Sequence, residues 1–169
     1  MEAKNPLILT VRLDERSQRF FNEMRIKYFP PERNLLDAHL TLFHQLPDTN
    51  ETLEIVQNSK RGVFEMGVIK LINLGAGVAY KVDSQELESL RQDLKRAFAD
   101  RLIPQDKHGF RAHITIQNKT TPEQARLLIA ELSESFEPFT IIANGLDLWE
   151  YLGGPWKHRG YQSFNYLDK

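Results

Sequence analysis

Cysteine is absent from the 169 residues, so the chain can form no disulfide, offer no thiolate nucleophile and hold no metal through sulfur. That lack suits a reducing compartment. A surplus of charge is missing too: 22 basic side chains face 23 acidic ones, a formal net charge of -1, which leaves no overall field to draw in long nucleic acid or an anionic membrane. A small phosphorylated ligand needs only a local cluster of donors and stays open. No apolar run approaches the roughly 20 residues that span a bilayer. The strand-like PLILTVRL arrives after five residues, with no positively charged leader before it. The expectation is a soluble, cytoplasmic protein with no membrane partner and no required protein partner. Gly153 and Gly154 allow a tight turn, but no Gly-Lys-Ser/Thr follows to make a phosphate loop, and there is no His-Glu-x-x-His zinc box.

What is present is an ordinary globular composition, 41% apolar and 27% charged, arranged in alternating strand and helix patterns. LILTVRL (7–13) reads as a strand. The helix after it carries a stripe of Phe20, Phe21, Met24 and Tyr28 and is closed by Pro30 and Pro31. A second strand holds His39 and Thr41, and a helix capped by Thr49 or Asn50 follows. GVFEMGVIKLINLG and AGVAYKVD form a hairpin near Gly75 and Gly77. The clearest helix is SQELESLRQDLKRAFADRLI, with Ser84 as cap and Leu87, Leu90, Leu94 and Phe98 as its stripe. Then the order begins again: strand FRAHITIQ, a helix with Thr121 as cap and Pro122 in its first turn, and the strands FTIIANGLDLWEYLGG and YQSFNYL.

Sliding the chain by 74 residues places FPPERNLLDAHLTLF over IPQDKHGFRAHITIQ. Pro30 then meets Pro104, Glu32 meets Asp106, Arg33 meets Lys107, His39 meets His113 and Thr41 meets Thr115. The Pro-to-His distance of nine residues is the same in both copies, which favours an internal repeat over convergent patterning in a single α+β sandwich. The fold expected is α+β: two pseudosymmetric lobes, each with a small antiparallel sheet and about two helices, around a central cleft. Either half alone has a small core, so the whole of 1–169 reads as a single domain, with lobes centred on 29–83 and 103–167 that exchange a strand or helix.

Strand alternation puts His39 and Thr41 on one face with Leu40 and Leu42 on the other, and repeats this for His113 and Thr115 against Ile114 and Ile116. A pseudo-twofold would set the two imidazoles on opposite sides of one groove, where one accepts a proton and the other donates one near neutral pH. Phosphoryl transfer uses all four side chains. Water attacks a 2',3'-cyclic phosphate, one imidazole takes the water proton, the other protonates the departing ribose oxygen, and the two hydroxyls bind non-bridging oxygens. No metal and no other cofactor is required. The alternatives are a two-histidine metal site completed by Asp37 or another carboxylate and solvent-facing strand decoration retained through duplication.

HLTL at 39–42 and HITI at 113–116, in a layout covering nearly the whole chain, resemble the 2H phosphoesterase superfamily, specifically its 2'-5' RNA ligase or RNA 2',3'-cyclic phosphodiesterase type. The resemblance implies His39 and His113 as the catalytic pair, the first assisting the leaving group and the second acting as base, with Thr41 and Thr115 binding phosphate. It implies RNA ends, short oligonucleotides or cyclic nucleotides as partners, and hydrolysis of a 2',3'-cyclic phosphate to a 2'-phosphate. The alternatives within and beyond the family are 2'-5' RNA ligation, 2'-5' phosphodiester cleavage, and a catalytically weak RNA-end or nucleotide-binding module. Many relatives carry an arginine shortly after a His-x-Thr-x motif, where it can hold phosphate; here the flanks are FHQLP and QNKTT. Continued alternation puts Phe43 and Gln117 on the histidine face as candidate base or sugar contacts, and His44 on the opposite phase as a structural residue unless the strand bends there. Lys119, Arg33 and Lys107 are candidate phosphate contacts. Tyr80, Trp149, Tyr151 and Trp156 are candidate platforms for a nucleobase.

Overall fold

The opening run LILTVRL is apolar apart from Thr10 and Arg12, and a strand with so little polar surface is stable only when well covered. In the computed structural model, which describes residues 3–165, it forms β1 (Leu7–Leu13), flanked by strands on either edge and almost wholly buried. The elements after it are α1 (Glu15–Tyr28), β2 (Leu40–Leu46), α2 (Asn50–Gln57), β3 (Phe64–Asn73), β4 (Val78–Asp83), α3 (Gln85–Phe98), α4 (Pro104–Lys107), β5 (His113–Gln117), α5 (Pro122–Ser133), β6 (Phe139–Tyr151) and β7 (Trp156–Ser163). The chain is α+β, and the expected caps form: Thr49, Ser84 and Thr121 each accept the N–H three residues on. Asp14 caps α1 through Ser17 and also accepts the N–H of Ile142, so the helix start is tied to β6. The predicted stripe of α3 is buried throughout, whereas α1 buries Phe21 and Arg25 and leaves Phe20 partly exposed.

The two small sheets expected from the repeat are joined into one seven-stranded antiparallel sheet, ordered β2-β1-β6-β3-β4-β5, with β7 also paired to β6. Strand β6 makes the join. Its first residues, Phe139–Ala143, pair with β3, its later residues pair with β7, and β1 runs along its other edge. Gly145 stands where β7 takes over from β3; a Cβ there would lie 2.5 Å from the Gln162 carbonyl oxygen, so this strand crossing needs glycine. The strand expected over YQSFNYL begins earlier, at Trp156, and its Tyr166 and Leu167 lie outside the described residues. Strands β2 and β5, which carry or adjoin the two His-x-Thr motifs, terminate opposite ends of the strand order, yet the sheet curls until they touch. Helix α1 packs against β5 and α4 against β2, so each motif strand is also backed by an element from the other half of the chain. No helix among the described residues is long and apolar enough to cross a membrane.

Candidate active site

His39 sits one residue before β2 and His113 opens β5. Each ring is anchored in the same way: His39 Nδ1 lies 2.9 Å from the Asp37 carbonyl oxygen, and His113 Nδ1 lies 2.6 Å from that of Arg111. A carbonyl can only accept, so Nδ1 carries a proton in both rings and each Nε2 is the atom left for exchange with a ligand. The two imidazoles and the hydroxyls of Thr41 and Thr115 line one pocket of about 170 Å³, together with Ile8, His44 and Trp156. Burial pushes the His39 imidazole down to about 4, against the Asp37 bond, which favours the protonated ring; positive charge on Arg25, His113 and His44 acts in the same direction as burial. His39 is therefore neutral at pH 7.

The strands do not continue their alternation past the threonines. Thr10 pairs with Thr41 but Leu9 pairs with Phe43, so two residues of β2 pass one residue of β1 and Leu42 is the bulged residue. Cross-strand partners share a face, and consecutive residues of β1 do not, so Phe43 is turned away from Thr41. The same slip occurs in β5, where Ala79 pairs with Thr115 and Val78 with Gln117. Both assignments to the histidine face are thereby corrected. Phe43 is 0% exposed, edge-on to Phe98 at 5.2 Å, and lines none of the described cavities. Gln117 is 6% exposed, with its Oε1 unpartnered, and its backbone oxygen lies against Gly77, where a Cβ would come within 1.9 Å. His44, expected on the opposite phase, is the residue that the bulge delivers to the pocket.

Bulges strand backbone groups that the ladder would otherwise pair, and here buried charges take them up. Arg91 of α3 donates from Nε to the Leu42 carbonyl at 2.9 Å and from a terminal nitrogen to the Asp106 carbonyl at 2.6 Å. The Asp106 carboxylate, 1% exposed, accepts from the N–H of His44 and of Gln45 and meets His44 Nδ1 at 2.9 Å. Arg25 of α1 reaches the other way, donating to Asn34 Oδ1, the Leu36 carbonyl and the Thr115 carbonyl, each at 3.1 Å. Each guanidinium lies over a phenyl ring, Arg25 on Phe29 and Arg91 on Phe43. Each half thus lends an arginine that holds the backbone of the other half's motif strand.

Beside the pocket, and sharing His39 and Trp156 with it, runs a trough of about 940 Å³ whose walls include Arg12, Asp147 and Trp149. Trp156 lies 4.6 Å from the His39 ring and 6.1 Å from Trp149, and Trp149 Nε1 donates to Thr10 Oγ1. Of the aromatic candidates, these two line a cavity. Tyr80 does not: it is 4% exposed, sits among Phe20, Phe21, Phe136 and Phe139, and has its phenol pushed up to about 12 by burial. Tyr151 is exposed at the end of β6, and Lys119, Arg33 and Lys107 are exposed and line none of the described cavities. Sequence reasoning missed Asp106, Arg25, Arg91 and Asp147, whose charged types read as solvated. The one signal for the bulge was the adjacent apolar pair Leu42–Phe43 followed by two polar residues and Leu46.

Among the described residues, no group of three or more His, Asp and Glu side chains is placed to hold a metal ion, so Asp37 does not complete such a site with the two histidines. The sequence profile described as the 2'-5' RNA ligase superfamily matches residues 13–155. No curated protein matches the sequence. Among solved structures, TT0787 of Thermus thermophilus superposes with a TM-score of 0.67 at 16% identity, over 96% of this chain and 100% of its own. A protein described as a phosphoesterase does so with a TM-score of 0.65 at 14% identity, over 96% and 99%. E. coli LigT complexed with NADP+ gives 0.60 at 16% identity, over 95% and 98%. These structures share the fold, and the profile spans most of the sequence. The chain therefore belongs to the 2'-5' RNA ligase superfamily, within the 2H phosphoesterases, and is an enzyme of phosphodiester chemistry.

Proposed function

We propose that the enzyme opens the 2',3'-cyclic phosphate of RNA ends or small nucleotides to a 2'-phosphate by acid-base catalysis between His39 and His113, without a metal. The observation that carries this is the convergence of both His-x-Thr pairs on one pocket, with both Nδ1 atoms engaged and both Nε2 atoms left for proton exchange. Water forms the new bond to phosphorus while the bond from phosphorus to O3' breaks. One imidazole takes the water proton and the other protonates O3', while Thr41 and Thr115 donate to the non-bridging oxygens and hold the phosphate in line. His39 enters neutral, which suits it to the base role and His113 to the acid role, the reverse of the order that the resemblance implies. The matched bulges and reciprocal arginines also support a duplicated origin, with two pseudosymmetric lobes centred on 29–83 and 103–167 and sharing β6.

A second reading, 2'-5' ligation or 2'-5' phosphodiester cleavage in the same pocket, is favoured by the adjoining trough, which offers room for a further nucleotide. That LigT has been crystallised with NADP+ supports a nucleotide as ligand in either case. A product-resolved screen of cyclic-phosphate RNA, cyclic mononucleotides and 2'-5' oligonucleotides separates the two. His39→Ala and His113→Ala should each lower turnover by about 100-fold or more with the fold retained. Full turnover in either variant sinks the paired-histidine mechanism. Saturable binding without cleavage of any substrate by the wild type replaces it with a binding module.

A further inference from the structure

The pocket holds a third imidazole that the paired motifs do not account for. His44 reaches it only because β2 bulges at Leu42, and the bulge is held in place on both sides, by Arg91 on the Leu42 carbonyl and by Asp106 on the N–H groups of His44 and Gln45. The same carboxylate fixes the ring. Burial works to raise the Asp106 carboxyl, but the bonds from the His44 side chain and from the two N–H groups outweigh it and keep the carboxyl below its ordinary range. An ionised carboxylate can only accept, so His44 Nδ1 is the donor and the ring is oriented with Nε2 as its remaining polar atom. Asp106 belongs to α4, in the half of the chain that supplies His113, whereas His44 belongs to the half that supplies His39. Their contact joins the two halves beside the pocket.

We propose that His44, oriented by Asp106, is a phosphate-contacting residue that donates from Nε2 to a non-bridging oxygen of the ligand. The inference rests on the phosphodiesterase reading for the ligand's class, not for the contact itself. With Nδ1 turned to Asp106, Nε2 is the ring atom on the side away from that carboxylate, and a ring that donates from both nitrogens lies between two anions, each orienting one N–H. His39 and His113 are thereby free to exchange protons, while His44 holds charge that is present in substrate, transition state and product alike. Contact of that kind lowers KM and leaves kcat nearly unchanged. Asp106 is a positioning residue in this scheme.

The test uses the full chain and reads binding apart from turnover. The His44 side chain is 46% exposed, and His44→Ala leaves Asp106 its two backbone donors, so the variant folds. Titration calorimetry with a nucleoside 2'-monophosphate should show binding weakened about tenfold or more in H44A, the size of a charge-assisted hydrogen bond. Binding of the same nucleoside without phosphate should be unchanged. KM for a 2',3'-cyclic nucleotide should rise by a similar factor with kcat within about threefold. His108→Ala, in an exposed histidine outside the pocket, should change none of these. Equal monophosphate affinity in wild type and H44A, or no binding by the wild type, overturns the role of His44. Weakened binding in H44A with no substrate cleaved by the wild type keeps that role and overturns the hydrolase reading. Normal H44A kinetics alongside inactive H39A and H113A does the reverse.

Discussion

A histidine on a strand gains a particular chemistry from its immediate surroundings. His39 is drawn toward neutrality first by burial and then by Arg25, His113 and His44, while the Asp37 carbonyl pulls the other way and sets the tautomer. The acid limb of kcat/KM reports the base in the free enzyme. If His39 is that base, protonation removes activity only as the pH falls toward its value of about 4. We expect kcat/KM for a cyclic nucleotide to hold its plateau from pH 7 down to about 5, whereas an unshifted imidazole near 6.5 would already have lost most of it. An acid limb centred near the value of an unshifted imidazole would take the base role away from His39. At this scale the sequence was readable where chemistry is written in residue type and spacing: His39, Thr41, His113 and Thr115 line one pocket. It was not readable at Asp106, which looked like the loop counterpart of Glu32; a carboxylate's burial depends on which backbone N–H groups the fold brings to it.

Helices and strands were legible wherever a cap and an unbroken period coincide, as in α3 with Ser84 and its four-residue apolar stripe. Period alone failed in β2 and β5. A bulge shifts the phase by one residue until the next slip, which in β2 comes between Phe43 and Leu46, and Phe43, His44 and Gln117 moved together for that reason. The bulge in turn depends on a helix. Arg91 satisfies two buried carbonyls, on Leu42 and Asp106, and a buried polar group left without a partner costs about 1–3 kcal/mol. Arg91→Met keeps the bulk and loses both bonds. It should destabilise the protein by about 2–4 kcal/mol in urea unfolding, and the variant that remains folded should show a raised KM for a cyclic nucleotide, because the Leu42 bulge that carries His44 into the pocket loses its anchor. A variant as stable and active as wild type would show that the β2 bulge stands without the brace.

The whole molecule decides how much ligand the pocket can use. At about 170 Å³ the histidine pocket is smaller than the roughly 300–1,000 Å³ of typical small-molecule sites, so it suits a phosphate and part of a sugar. The trough of about 940 Å³ that shares His39 and Trp156 with it is large enough for the nucleotide beyond. With 22 basic and 23 acidic side chains there is no general attraction for a polyanion, so extra affinity for a longer substrate has to come from stacking on the indoles along the trough, at about 1–3 kcal/mol per stacked base. A short oligonucleotide ending in a 2',3'-cyclic phosphate should therefore have a KM about fivefold or more below that of the cyclic mononucleotide. The advantage should depend only weakly on salt, because few phosphates are neutralised. Trp149 is the residue to remove, since Trp156 also packs on His39. Trp149→Ala should erase most of the length advantage while leaving the mononucleotide KM within about twofold. The same KM for mononucleotide and oligonucleotide in the wild type would mean that the trough does not extend the substrate site.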